Sequence, residues 1–224
     1  MRQVLRFLHS LSLHNDKAWF DTHKTDYLKA KDTIEILAVK LIEGIRSFDD
    51  TIGPLTAADC TYRIYRDVRF SKDKSPYKTH MGVFITRGGK KSGYSGYYFH
   101  IDGTGDHLLA IGDYLTEPRV LKTLREDIEM GGGDFRRILA GLAPGLVLDT
   151  EGALKKVPKG FPADNSPDAE FFKLKNFCLL KSLDKDFILS PNLVDSVLDI
   201  FRTGKPFLDY INRAIDYCRE ESIL

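Results

Sequence analysis

Tyr62-Arg63-Ile64-Tyr65-Arg66-Asp67-Val68-Arg69-Phe70 is the stretch on which the reading of the fold turns. Before it, apolar residues recur every three or four positions. From it onward they alternate, with Tyr62, Ile64, Val68 and Phe70 on one parity, the period of a strand that turns one face to a core. Residues 79–87 repeat the pattern with Met81, Val83 and Ile85, and residues 94–102 with Tyr97, Phe99 and Ile101. Residues 108–114 read as a fourth short strand. The connections, a glycine-rich loop over 88–93 and Gly103-Thr104-Gly105, are too short for parallel crossovers. An antiparallel meander over residues 62–114 is therefore expected, with residues 177–183 as a fifth strand at an edge.

Working outward, the N-terminal side is helical. Val4, Leu5, Leu8 and Leu11 mark a first helix, and Asn15 is placed to cap a second. Phe20, His23, Tyr27, Ala30, Ile34, Leu37, Leu41 and Ile45 form one apolar stripe with a bend near Thr25. On the C-terminal side, Pro118 opens a helix that Gly131-Gly132-Gly133 is expected to end, with a short helix over 135–139. Another short helix follows Ser166-Pro167. Ser190-Pro191 opens a helix ending at Gly204, and Pro206 opens the last. Helices grouped around a strand block give an α+β fold, an antiparallel sheet of about four or five strands flanked by N-terminal and C-terminal helices. The reading is one domain over 1–224: helical 1–53, strands 60–115, helical 116–224.

Composition narrows the function classes. Of 224 residues, 42% are hydrophobic and 29% charged, the balance of a globular chain with material for a core. The 33 basic and 32 acidic residues leave a net charge of +1, so the whole molecule does not advertise a polyanionic partner. Cys60, Cys178 and Cys218 are too few and too scattered for a disulfide framework or a thiolate zinc site. No apolar run approaches a membrane span, and residues 1–13 do not read as a signal peptide. A soluble, cytoplasmic protein without a membrane partner is expected.

The charge is concentrated in residues 62–78. Six basic side chains (Arg63, Arg66, Arg69, Lys72, Lys74, Lys78) stand against Asp67 and Asp73, a local net charge of +4. Arginine forks and lysine ammonium groups suit phosphate or carboxylate. The competing account is a solvated edge strand protected by charge. Strict alternation puts Arg66 among Ile64, Val68 and Phe70, where it is expected to be buried and paired. Parity places His80 with Gly82 and Phe84, and His100 with Tyr98 and Asp102, on faces opposite the apolar sets. These histidines can share a face with Arg63 and Arg69, an arrangement suited to acid–base work on an anionic substrate. The six histidines show no metal-ligand spacing, no cofactor motif is legible, and the loop at 88–93 lacks phosphate-loop spacing. Trp19 is expected in the core.

Arg63-x-x-Arg66-Asp67-x-Arg69-Phe70-Ser71-x-Asp73-Lys74-x-Pro76-Tyr77-Lys78 resembles the signature of the domain of unknown function family 2461. Asn15, Trp19-Phe20, His23 and Lys24 are similar to its N-terminal motif, Tyr97-Tyr98 to the start of its aromatic strand, and Leu154-Lys155-Lys156-x-Pro158-x-Gly160-Phe161 with Lys175 to its C-terminal motif. His14, Asp16 and the stretch Leu109-Ala110-Ile111-Gly112 depart from it. The resemblance implies no activity; it implies that these motifs belong to one repeated design. The ligand-binding set expected is Arg63, Arg66, Arg69, Lys72, Lys74, Lys78, His80, Tyr98 and His100. The ligand expected is phosphate-bearing, a nucleotide or nucleic acid. An enzyme acting on an anionic substrate and an interaction protein with a solvated charged edge are the alternatives, and no catalytic residue is singled out.

Overall fold

The computed structural model describes residues 1–162 and 165–221. Its elements run α1 (Arg2–Leu13), α2 (Lys17–Thr22), α3 (Lys24–Arg46), α4 (Ala57–Cys60), β1 (His80–Thr86), β2 (Gly96–Asp102), β3 (His107–Asp113), α5 (Pro118–Ala140), β4 (Val147–Leu148), α6 (Ala169–Phe172), β5 (Phe177–Leu183), α7 (Lys185–Leu189) and α8 (Leu193–Glu220). The fold is α+β. The strands form one antiparallel sheet in the order β1-β2-β3-β5-β4. Among the described residues, no helix is long and apolar enough to cross a membrane.

The alternation in β1, β2 and β3 is realised as burial. Val83, Ile85, Tyr97, Phe99, Ile101, Leu109 and Ile111 are all buried. Residues 62–70 correct the expectation: they form no regular strand, and their β pairing is by isolated bridges, Thr61 to Val83 beside them and Tyr65 to Tyr77. The apolar parity is not a face either, since Ile64 is buried while Phe70 is 96% exposed. Strand β5 is not an edge, because the two-residue β4 pairs with it through Val147 and Leu180.

Tertiary contacts sort the chain into two compact units, each assembled from separated stretches. The first comprises Met1–Ser92, Tyr97–Leu109 and Ser182–Asp199. Here the apolar stripe of α3 (Ala30, Ile34, Leu37, Leu41, Ile45) is buried, and Tyr97 donates to Asp49 at 2.9 Å just beyond the helix end. The break in the stripe falls at His23, which ends α2 and precedes α3. The cap of α2 is Asp16, accepting from the Trp19 amide at 2.9 Å, and not Asn15. Trp19 is half-buried, stacked on His23 at 4.0 Å.

The second unit comprises Gly93–Gly96, Ala110–Lys181 and Ile200–Leu224, of which residues 222–224 lie outside the described set. Phe135 anchors it, ringed by Phe171, Phe177, Phe207 and Tyr210. Of the two expected helix ends, the one at Gly131-Gly132-Gly133 is present as a break at Gly131, and the one at Gly204 is absent because that glycine serves packing. Helix α5 consists of two helical stretches that meet at Gly131, whose backbone (φ −144°, ψ 37°) is not helical, and a Cβ on Gly132 would lie 2.4 Å from the Asp168 carboxylate. Helix α8 runs through Gly204 and Pro206, and a Cβ on Gly204 would meet Ile111 at 2.2 Å. Burial of Phe201, Phe207 and Leu208 on either side holds the helix together across the hydrogen bond that the proline removes.

Candidate functional site

The basic segment is built as a short irregular hairpin in the first unit. Arg66 donates its amide to Pro76 O at 2.9 Å, Lys78 donates to Ile64 O at 2.8 Å, and Tyr65 bridges Tyr77. Between these rungs, residues 67–75 are shaped by side chain–backbone bonds that compete with a ladder. Asp73 accepts from the Ser75 amide at 2.9 Å and hydroxyl at 2.7 Å, and Asp67 accepts from Arg69. The hairpin is docked by Tyr77, buried, stacked on Phe20 with ring centroids 4.0 Å apart.

The six basic residues differ in their partners. Arg66 is bound to the Asp73 carboxylate and, at 3.1 Å, to Ser75 O. It is paired as expected, yet its side chain is 26% exposed and sits on no apolar strand face. Arg69, itself exposed, grips Asp67 at 2.6 and 2.9 Å, with its guanidinium 5.8 Å from the Phe70 ring. Lys74 donates to Val68 O at 3.0 Å, and Lys72 is exposed. Hydrogen bonds from Ser75, reinforced by Arg66, hold the Asp73 carboxyl far below the usual carboxylate range.

Arg63 and Lys78 are different. Both line a concavity of about 40 Å³ between α3, the run from Thr61 to Ile64 and the outer edge of β1. Lys78 Nζ sits 5.4 Å from the centroid of the Tyr62 ring, a cation–π distance. Among the described residues neither Arg63 nor Lys78 has a carboxylate within ion-pair distance. Burial, then the charge of Arg63, lowers the Lys78 pKa. Glu35 on the far wall is engaged by Lys31 at 2.6 Å. The floor is His80, Gly82 and Tyr98. The Tyr98 ring lies so close to Gly82 that a Cβ there would fall 2.5 Å from the phenolic oxygen. Burial pushes the Tyr98 hydroxyl up to about 12.

Behind the floor, β1 and β2 bring together groups distant in sequence. His80 and His100 have ring centroids 4.6 Å apart. His80 Nδ1 stands 4.0 Å from Asp102 Oδ2. His100 Nδ1 is hydrogen-bonded with the Tyr98 hydroxyl at 2.9 Å. Asp102, 7% exposed, accepts on Oδ1 from the Thr104 amide and hydroxyl, both at 2.6 Å. The Asp102 amide donates to His107 Nδ1 at 3.1 Å. Burial lowers the His80 pKa against the opposing pull of Asp102, with Lys78 and Arg66 adding to the lowering. Burial, then His80, brings His100 down to about 4, so its ring is neutral at neutral pH.

The family model described as a conserved hypothetical protein (DUF2461) matches residues 3–210. The chain belongs to the DUF2461 family. No curated protein and no solved structure matches it. Two of the motifs that resemble this DUF2461 pattern meet in space: Asn15 and Phe20 both contact Tyr77 of the basic segment. The C-terminal motif belongs to the second unit, where Leu154 donates to Lys173 O at 2.8 Å and Phe161 stacks on Phe172.

Of the expected site residues, Arg63, Lys78, His80 and Tyr98 share the concavity, and His100 joins them through Tyr98 and His80. Arg66, Arg69, Lys72 and Lys74 belong to the loop, three of them bound to its own acceptors. Asp102 and Thr104 complete the cluster and were not in the expected set. The signal for Asp102 was its place two residues after His100 on one strand.

Proposed function

We propose that this protein binds an anionic, phosphate-bearing ligand in the concavity lined by Arg63, Lys78 and His80. The observation that carries the reading is the unmatched pair of cations. Lys78 is half-buried with its ammonium form disfavoured, Arg63 stands beside it, and neither has an acidic partner among the described residues. A bound anion relieves both at once. About 40 Å³ is room for roughly three waters. That suits one phosphate-sized group, with the rest of the ligand outside near the exposed Tyr62 ring. Arg69 and Lys74 are engaged within the loop, which favours a small ligand over an extended strand held by many contacts. The buried free cysteines accord with a reducing, cytoplasmic setting.

The test is calorimetric titration of inorganic phosphate, nucleoside monophosphates and a short single-stranded nucleic acid into the parent, Arg63→Ala and Lys78→Ala. A small ligand should bind the parent, lose about tenfold or more in affinity in either variant, and depend weakly on salt. Silence at millimolar ligand, or equal binding by the variants, would refute the site. A steep salt slope for nucleic acid would refute the small-ligand form of it.

A second reading, an enzyme acting on an anionic substrate, rests on His80. It borders the concavity and faces Asp102 at 4.0 Å, a placement suited to a general base. Its test is turnover of phosphoesters by the parent that is lost in His80→Ala.

A further inference from the structure

We infer that His80, His100 and Asp102 form a binding site for a first-row transition-metal dication. This does not rest on the anion reading; it stands on the donor set and its spacing. One ligand-capable atom from each residue lies within 4.8 Å of the others. Two ligands of one metal, each about 2.1 Å from it, lie roughly 3.0–4.2 Å apart for angles between square and linear. His80 Nδ1 and Asp102 Oδ2, at 4.0 Å, are inside that range. They are also too far apart to satisfy each other by a direct hydrogen bond. The outer bound on the other pairs, 4.8 Å, exceeds that range by about 0.6 Å.

The remaining polar atoms are committed in a way that aims the free ones inward. Asp102 Oδ1 is taken by two bonds from Thr104, which leaves Oδ2 toward His80 with one long contact from the Thr79 hydroxyl at 3.3 Å. His100 Nδ1 is engaged with Tyr98, which leaves Nε2 as its ligand atom and supplies the outer-shell partner that metal-bound imidazoles use. The two imidazoles lie side by side, tilted by 33°. All three residues sit on or at the ends of paired strands, a rigid base for a metal centre.

Two imidazoles and one carboxylate select zinc, manganese, iron or cobalt over calcium or magnesium. Three protein ligands leave coordination positions open, as in reactive centres and unlike closed structural ones. Lys78 lines the same concavity as His80, and its charge opposes a bare dication and favours one that carries hydroxide or another anion in its open positions.

The test is titration of chelator-stripped protein with Co²⁺, read by its visible d–d absorption, then displacement by Zn²⁺. Variants are His80→Ala, His100→Ala and Tyr98→Phe, each checked by circular dichroism. His80 is the preferred deletion, because its side chain is 37% exposed and its loss should disturb packing less than that of a buried residue. His14→Ala, an exposed histidine, controls for adventitious binding. Expected are one ion per chain, retention in His14→Ala, loss in His80→Ala and His100→Ala, and a weakening of about tenfold in Tyr98→Phe. Retention in Arg63→Ala is also expected, which separates this site from anion binding. No cobalt spectrum in the parent, or an unchanged one in His80→Ala, would overturn the assignment.

Discussion

The Asn15 side-chain amide bonds both backbone groups of Tyr77: Nδ2 donates to Tyr77 O at 2.9 Å, and Oδ1 accepts from Tyr77 N at 3.1 Å. One side chain here does what a neighbouring strand would do. It fixes the base of the basic hairpin against the start of α2, and with it the positions of Lys78 and His80 just beyond. Asn15→Ala leaves a buried donor and acceptor without partners, and about 1–3 kcal/mol of stability should be lost. Denaturant unfolding of the variant checks this; a midpoint equal to the parent's would show that the clamp contributes nothing.

Arg66→Ala should cost less than a buried ion pair would. The side chain is 26% exposed and its Asp73 partner is more so, so the screened pair adds little and the bond to Ser75 O about 1 kcal/mol. The larger effect should be on loop order, seen as faster proteolysis within residues 67–75. A loss of several kcal/mol on thermal melting would mean the arginine is buried after all.

Gly82→Ala should disturb the site through a single methyl group. Its Cβ would lie 2.5 Å from the Tyr98 phenol and 2.6 Å from the ring, forcing Tyr98 away from His100. An overpacking cost of about 1–3 kcal/mol is expected, with a weaker response to both anion and cobalt. Unchanged ligand responses in a folded variant would show that Tyr98 does not position the site.

Burial pushes the Cys60 thiol up to about 11 and that of Cys178 up to about 12. In the unfolded chain both ionise near the ordinary value of about 8.5. The folded state therefore holds more protons at alkaline pH, and the contribution these thiols make to stability, complete below that ordinary value, is lost as pH rises toward 11–12. At pH near 8 a thiol reagent should label both only on unfolding. Rapid labelling of the native protein would contradict their burial.

The sheet was legible where parity decides burial. Val83 and Ile85, then Tyr97, Phe99 and Ile101, point inward as their spacing requires, and the same parity put His80 and His100 on one face. Residues 62–70 were not legible, because the loop satisfies itself: Asp67 with Arg69 and Asp73 with Arg66 replace a ladder. Nothing in the sequence says which acid meets which base. The break at Gly131 was legible from its glycine run, whereas Gly204 reads as a helix stop because its partner, Ile111, arrives from elsewhere in the chain. Strand β4, two residues long, carries no period at all.

The central claim is that Arg63 and Lys78 are the anion-binding pair. The most direct measurement is a phosphate titration followed by nitrogen-detected NMR of the arginine and lysine side chains, with Lys78→Gln as the reference. Saturable shifts confined to Arg63, Lys78 and the neighbouring His80, and absent in the reference, are predicted. Shifts spread evenly over Arg69, Lys72 and Lys74, or none at millimolar phosphate, would contradict it.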